Sequence, residues 1–188
     1  MFQTRSVKSS LRVTKLQHFC IASDTQLPKG PANGRSLRAV ELPVFEEVAE
    51  LVRAMAPESI GLVRVRAHRR GVKVWFDTDS ATREHYEAQL LRRNYVDGRD
   101  GMAVEIGFHA EHKDQTHNVA VIDHILRTEK KWRKELGKEP EVATFFGADN
   151  WRRISEAWIE PDLDDPEIAF EIASRLVDYV SVIEAARK

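Results

Sequence analysis

Apolar residues recur at spacings of three and four in the segment that begins at Pro43, where they are Val44, Val48, Leu51, Val52 and Met55. This is the period of an amphipathic helix, and Pro57 marks its end. Proline suits the first helical position, and Glu46 and Glu47 place negative charge in the first turn, where the helix dipole favours it. The sequence therefore predicts a helix that begins at Pro43 and ends before Pro57.

The hydrophobic period then changes to two. Alternating polar and apolar residues occupy four segments, 62–68, 72–77, 84–90 and 102–111. Arg70-Gly71 supplies a tight turn between the first two segments, and the glycine-rich stretch 97–101 precedes the fourth. The third segment contains good helix formers, but its position between strands favours a strand. These segments predict a four-stranded antiparallel meander.

The C-terminal half is predicted to be mostly helical. Apolar residues from Val119 to Leu136 indicate a helix that stops at Gly137, a residue favoured just past a helix end. Asn150 is a candidate cap for a short helix through Trp158, and Pro166 begins a long final helix with an apolar stripe. The expected fold class is therefore α+β: a single domain over residues 41–188, in which helices cover one face of the sheet.

Residues 1–40 differ from the rest in charge and pattern. They contain seven Lys or Arg residues against one acid, Asp24, although the whole chain of 188 residues has a formal net charge of −1. We interpret this segment as a basic, poorly patterned N-terminal arm. Such an arm can meet nucleic acid phosphates, or it can dock on an acidic surface of its own chain or of a partner.

Composition narrows the class of protein. The chain has one cysteine, Cys20, so it cannot form an internal disulfide, and a reducing compartment fits best. Its apolar runs are far shorter than the ~20 residues that a membrane span needs. The N-terminus lacks the apolar region of a secretory signal. We therefore expect a cytoplasmic protein that does not enter membranes.

The polar positions of the predicted strands fall on one face of the sheet, because side chains alternate along a strand. Lys73, Asp77 and His68 belong to this face. The candidate ligand-binding residues on it are Arg64, Arg66, Trp75, His85, Glu87, Gln89, Glu105, His109 and Glu111. Since neighbouring strands lie about 4.8 Å apart, these groups can converge on one ligand.

Three interpretations of this face are open. It is a solvated face stabilised by cross-strand ion pairs, a recognition platform, or a metal site. In the platform, Trp75 stacks on a ligand, and Arg64 and Arg66 meet an anionic group. In the metal site, carboxylates and imidazoles hold a divalent ion that activates water for hydrolysis, for example of a phosphodiester.

No nucleotide-binding glycine loop and no serine-hydrolase elbow is present in the sequence. Aromatic residues are concentrated in one segment, at Phe145, Phe146, Trp151 and Trp158. We favour the interpretation that they form a small secondary core, and the alternative is that they line a pocket. The leading hypothesis is a small cytosolic binding or interaction module for a small molecule or a protein partner. The alternative is a metal-dependent hydrolase of the phosphodiesterase or nuclease type on the same face. The sequence specifies no cofactor, and nucleic acid binding is a third possibility.

Overall fold

The computed structural model describes residues 43–78 and 82–188, so the basic arm predicted for residues 1–40 lies outside the described part. The described residues form four α-helices and six strands in an α+β arrangement. In chain order these are α1 Pro43–Met55, β1 Val63–His68, β2 Gly71–Phe76, β3 Glu84–Arg92, β4 Met102–Ala110, α2 Gln115–Leu126, α3 Glu129–Leu136, β5 Glu141–Phe145, β6 Ala148–Ile159 and α4 Ile168–Arg187. None of these helices is both long and apolar enough to span a membrane.

The strands form one antiparallel sheet in the order β1-β2-β3-β4-β6-β5. The predicted meander is present as β1 to β4. The prediction of four strands is wrong, however, because β6 pairs with β4 along eight residue pairs and β5 pairs with β6 at the sheet edge. Only part of the C-terminal half is therefore helical.

The short helix predicted from Asn150 to Trp158 is instead the middle of β6. The helical spacing of its apolar residues is outweighed by pairing with β4, which supplies a partner for the backbone of this segment. A turn at Phe146-Gly147 precedes it, and Gly147 has a φ of 75°, a left-handed conformation that favours glycine. The helix predicted across residues 119–136 is divided at Arg127 and Thr128 into α2 and α3.

The helices cover one face of the sheet, as predicted. The core between them contains apolar side chains from α1, α4 and the inward positions of the strands, including Phe45, Val48, Val52, Val74, Tyr86, Val104, Ile106, Phe108, Ile154, Ile172, Leu176 and Ile183. Burial of each large apolar side chain contributes about 1.5–3 kcal/mol. This packing fixes the sheet and leaves its second face to the polar positions of the same strands.

The buried carboxylate of Glu156 on β6 accepts hydrogen bonds from side chains of α4 and so links the two elements. Arg175 donates to it from Nε at 3.1 Å and from Nη2 at 2.5 Å, and Tyr179 donates from its hydroxyl at 3.0 Å. Trp158 Nε1 donates to the same carboxylate at 2.8 Å. Burial and the neighbouring Glu156 charge raise the pKa of Tyr179 well above its usual range.

Tyr179→Phe is expected to lower the free energy of unfolding by about 1.5–3 kcal/mol near neutral pH, because it removes a hydrogen bond to a charged group. Because the pKa of Tyr179 is raised in the folded state, its contribution is complete below the unfolded value of about 10 and declines as pH rises above it. Urea unfolding should therefore show a gap between wild type and variant that shrinks above about pH 10. Tyr95→Phe, at an exposed tyrosine, is the control. A gap that stays constant with pH would contradict this account.

Candidate functional site on the polar face of the sheet

The register of the strands brings most of the predicted site residues together on the face opposite the helices, here called the polar face. His85 lies opposite His109, and Gln89 lies opposite Glu105. Glu87 lies between Lys73 on one side and Gly107 on the other. The fold thus places four of these groups, His85, Glu87, His109 and Glu111, so that one ligand atom from each lies within 4.8 Å of the others. These four residues are called the His–Glu cluster below.

The centre of the polar face is buried. His85 is 2% exposed, Glu87 3%, and both Glu105 and His109 0%. The interpretation of a solvated face is therefore wrong for His85, Glu87, Glu105 and His109. Buried charged groups are retained only when other charges and hydrogen bonds compensate them.

Each imidazole of the cluster has one nitrogen held by an oxygen atom. His109 Nε2 lies 2.9 and 3.1 Å from the two carboxylate oxygens of Glu105. His85 Nδ1 lies 3.1 Å from the carbonyl oxygen of Thr82. The second nitrogen of each ring faces the cluster: His109 Nδ1 lies 3.5 Å from Glu87 Oε2 and 3.7 Å from Glu111 Oε1. His109 Nδ1 is buried and has no hydrogen-bond partner among the described residues.

Lys73 brings a positive charge to the same point. Its Nζ lies 3.0 Å from His85 Nε2, 3.1 Å from Glu87 Oε2 and 3.8 Å from Glu111 Oε2. On the opposite side of the carboxylate, His68 Nε2 lies 2.9 Å from Glu87 Oε1. Glu87 is therefore enclosed by cationic and imidazole groups.

These contacts determine the charges of the buried groups. Burial alone would raise the pKa of Glu87, but the imidazole groups of His109, His68 and His85 beside its carboxylate outweigh burial and hold the pKa well below its usual range. Burial would lower the pKa of His109, but the charge and hydrogen bond of Glu105, with a further contribution from Glu87, raise it to about 10. Near neutral pH the polar face therefore holds a carboxylate and an imidazolium side by side.

A cavity of about 800 Å³ opens beside this network, where β1 and β3 end and where Phe145 and Phe146 of the β5–β6 hairpin also contribute to the lining. The described residues that line it are His68, Arg69, Arg70, Gln89, Leu90, Leu91, Arg92, Tyr95, Phe145 and Phe146. Two of them connect the cavity to the buried network, because His68 contacts Glu87 and Gln89 donates to Glu105 Oε2 at 3.2 Å. The ring of Phe145 packs edge-on against His109, with 5.0 Å between ring centroids. Of the four aromatic residues for which core was favoured and a pocket was the alternative, Phe145 and Phe146 line the cavity together with Tyr95, whereas Trp158 packs against the core.

Three arginines at the cavity, Arg69, Arg70 and Arg92, are exposed and form no ion pair with any carboxylate of the described chain. Arg153, by contrast, lies under the ring of Phe146 and donates to Ser155 Oγ and Glu141 Oε2, each at 2.8 Å. Arg153 and Ser155 are absent from the predicted site residues because their segment is predicted to be helical, whereas it forms part of β6. Their period-two spacing is the signal that would have placed them on the polar face.

The remaining predicted residues, Arg64, Arg66 and Trp75, lie on β1 and β2, outside the His–Glu cluster and the cavity lining. Trp75 is buried, its Nε1 donates to the carbonyl of Thr78 at 2.9 Å, and the guanidinium of Arg66 lies 5.9 Å from its ring centroid. Asp77 lies just past the end of β2, and its carboxylate accepts a hydrogen bond from the Leu62 N–H. The structure thus separates the tryptophan and arginine row from the histidines and carboxylates.

A second histidine group lies away from the polar face. Glu84 Oε1 lies 2.8 Å from His112 Nε2 and 3.5 Å from His117 Nε2. The other oxygen of Glu84 pairs with Arg187. His117 is exposed, and the Glu84 carboxylate is already engaged by a guanidinium, so this group differs from the buried His–Glu cluster.

Comparisons of this chain with protein-family models, with curated proteins and with solved structures found no match.

Proposed function

We propose that this protein is a binding module for a small organic anion, a molecule with a flat apolar body and a carboxylate or phosphate group, which occupies the cavity at the end of the polar face. The observation that carries the proposal is the set of three arginines that have no carboxylate partner within residues 43–78 and 82–188, around a cavity with an aromatic wall. The cytoplasmic location inferred from the single cysteine is part of the same proposal.

The size and lining of the cavity suit such a ligand. Small-molecule sites generally measure about 300–1,000 Å³ and combine an apolar lining with a few polar groups. Tyr95, Phe145 and Phe146 offer ring surfaces for a flat body, and Leu91 adds apolar area. The volume of about 800 Å³ lies within the usual range.

The polar groups that face the ligand are held in place before it binds. Gln89 is fixed by its hydrogen bond to Glu105, and His68 by its contact with Glu87. Both carboxylates are buried and are themselves bound to other groups. Such preorganisation lowers the entropy lost on binding, so the buried network supports a site as well as the fold.

The anion supplies the negative charge with which the guanidinium groups of these arginines can pair. Guanidinium groups bind carboxylates and phosphates through paired hydrogen bonds, which give both affinity and orientation. Arg69 and Arg70 follow β1, and Arg92 ends β3, so their side chains come to the cavity from two neighbouring segments. An anionic group at this rim and an apolar body against the aromatic rings account for both kinds of lining.

The probe for this proposal is 2-naphthoate, with the neutral 2-naphthalenemethanol as its matched compound. Calorimetric titration should show binding of the acid and much weaker binding of the alcohol, because only the acid pairs with the arginines. Arg92→Gln should lower the affinity for 2-naphthoate by about tenfold or more, since a charge-assisted hydrogen bond contributes about 1.5–3 kcal/mol. Replacing Arg69, Arg70 and Arg92 together should abolish binding.

Arg99→Gln is the control, because Arg99 is exposed and lies outside the cavity lining. It should bind the acid as the wild type does. Equal affinity for acid and alcohol, or equal loss in the Arg92 and Arg99 variants, would overturn the proposal.

The alternative function, a metal-dependent hydrolase on the same face, is favoured by one observation, the His–Glu cluster. It requires both a metal ion and a substrate that reaches it, and the cavity is joined to the cluster through His68, which lines the cavity and contacts Glu87.

A further inference from the structure

We propose that His85, Glu87, His109 and Glu111 bind one divalent transition-metal ion, which takes the place of the Lys73 ammonium group. None of these four residues is among the described residues that line the cavity, and the existence of the site does not depend on the anion proposed to bind there.

The spacing of the four donor atoms matches a tetrahedral ion. His85 Nε2 lies 3.3 Å from Glu87 Oε2 and 3.8 Å from Glu111 Oε1. His109 Nδ1 lies 3.5 and 3.7 Å from the same two oxygens. Ligands of a tetrahedral ion with bonds of about 2.1 Å lie about 3.4 Å apart. Four of the six edges of the tetrahedron are therefore near their final length before any ion enters.

Both imidazoles are oriented for coordination. A metal-binding histidine usually donates its other ring N–H to a carboxylate or a backbone carbonyl, which fixes the tautomer. His109 Nε2 contacts Glu105, and His85 Nδ1 contacts the Thr82 carbonyl. These contacts turn His109 Nδ1 and His85 Nε2 toward the cluster. They also give a reason for the buried Nδ1 of His109, which has no described hydrogen-bond partner. The entering ion displaces the Nδ1 proton of the His109 imidazolium to solvent, and the Nε2–H stays directed at Glu105.

A cation already lies against three of the four proposed ligands. The ammonium of Lys73 lies 3.0 Å from His85 Nε2, 3.1 Å from Glu87 and 3.8 Å from Glu111. Its side chain is 22% exposed and sits on a flexible stem, so it can withdraw toward solvent while the buried ligands stay in place. A divalent ion then offers the two carboxylates a larger charge than the ammonium does.

The donor set selects the class of metal. Two imidazole nitrogens with two carboxylate oxygens suit zinc and neighbouring first-row ions, whereas magnesium and calcium prefer oxygen ligands alone. We therefore expect Zn²⁺ and Co²⁺ to bind and Mg²⁺ to fail to compete with them.

The test uses the full chain, first freed of metal with a chelator. Titration with Co²⁺ should give one bound ion per chain and visible absorption bands typical of a low coordination number, and Zn²⁺ should displace the cobalt. His109→Ala and Glu111→Gln should abolish these bands. Lys73→Met, which removes the competing charge and leaves all four ligands, should bind about tenfold tighter.

His112→Ala is the matched control, because His112 belongs to the second histidine group with Glu84. It should leave cobalt binding unchanged, and loss of binding in this variant but not in Glu111→Gln would overturn the assignment. Absence of stoichiometric binding in both wild type and Lys73→Met would also overturn it, and this does not depend on whether His109→Ala folds. Binding of 2-naphthoate by the same metal-free protein separates a failure of this site from a failure of the proposed function.

Discussion

Replacing Glu105 by leucine is expected to lower the free energy of unfolding by about 3–5 kcal/mol, because it breaks a buried ion pair by removing one partner. Glu105 is fully buried and lies 2.9 Å from His109 Nε2. It also accepts a hydrogen bond from Gln89. Without the carboxylate, His109 loses the group that chiefly raises its pKa. Its ring stays buried, where a charge without a partner is unfavourable.

Urea denaturation at neutral pH measures the effect, and Glu141→Leu is the control. Glu141 pairs with Arg153 at 2.8 Å, but its side chain is 68% exposed, so its loss should cost at most about 1 kcal/mol. The double variant Glu105→Leu with His109→Leu should recover part of the loss, since it removes both charges. A Glu105 effect no larger than that of Glu141 would show that the network contributes little.

Gly107→Ala is expected to destabilise the protein by at least about 3 kcal/mol, at the upper end of the cost of overpacking. A Cβ atom at this position would lie 2.3 Å from Ser155 Cβ, 2.4 Å from the Ile154 carbonyl oxygen and 2.5 Å from Ser155 Cα. Two of these are backbone atoms of β6, which pairs with β4 in the middle of the sheet. They cannot move without separating the two strands.

Gly98→Ala is the comparison for this variant. Gly98 has a φ of +77°, so alanine is strained there, but apart from its chain neighbours no heavy atom of the described residues lies within 4 Å of its Cβ position. The expected cost is about 1–2 kcal/mol, from the left-handed backbone alone. Thermal or urea unfolding should show that Gly107→Ala is much less stable than Gly98→Ala. The reverse order of stability would contradict the account of close strand approach at Gly107.

The meander could be predicted from the sequence because its signals are local. Hairpin turns and period-two alternation specify both the pairing of β1 to β4 and the side of the sheet that each residue takes. His85, Glu87, Gln89, Glu105 and His109 therefore fell on the correct face. The strand β3 formed despite good helix formers, because its neighbours on both sides supply hydrogen-bond partners.

The other features depend on contacts that are distant in sequence. The strand β6 exists because β4, some 50 residues earlier, pairs with it, and the apolar spacing of residues 151–158 suited a helix equally well. Alternation reveals which side of the sheet a residue occupies, but it does not reveal whether that side is buried. The burial of Glu87 and His109, and the separation of Trp75 from them, therefore came only from the structure.

The proposed binding of an organic anion in the cavity is tested most directly by amide NMR of the ¹⁵N-labelled protein titrated with 2-naphthoate. The account predicts saturable shifts concentrated at cavity residues such as Gln89, Leu91, Tyr95 and Phe146. The apolar groove between α3 and α4, about 330 Å³ and lined by Trp132 and Ala185, should stay unperturbed. Shifts centred on that groove, or no saturable shift at the cavity, would contradict the proposal.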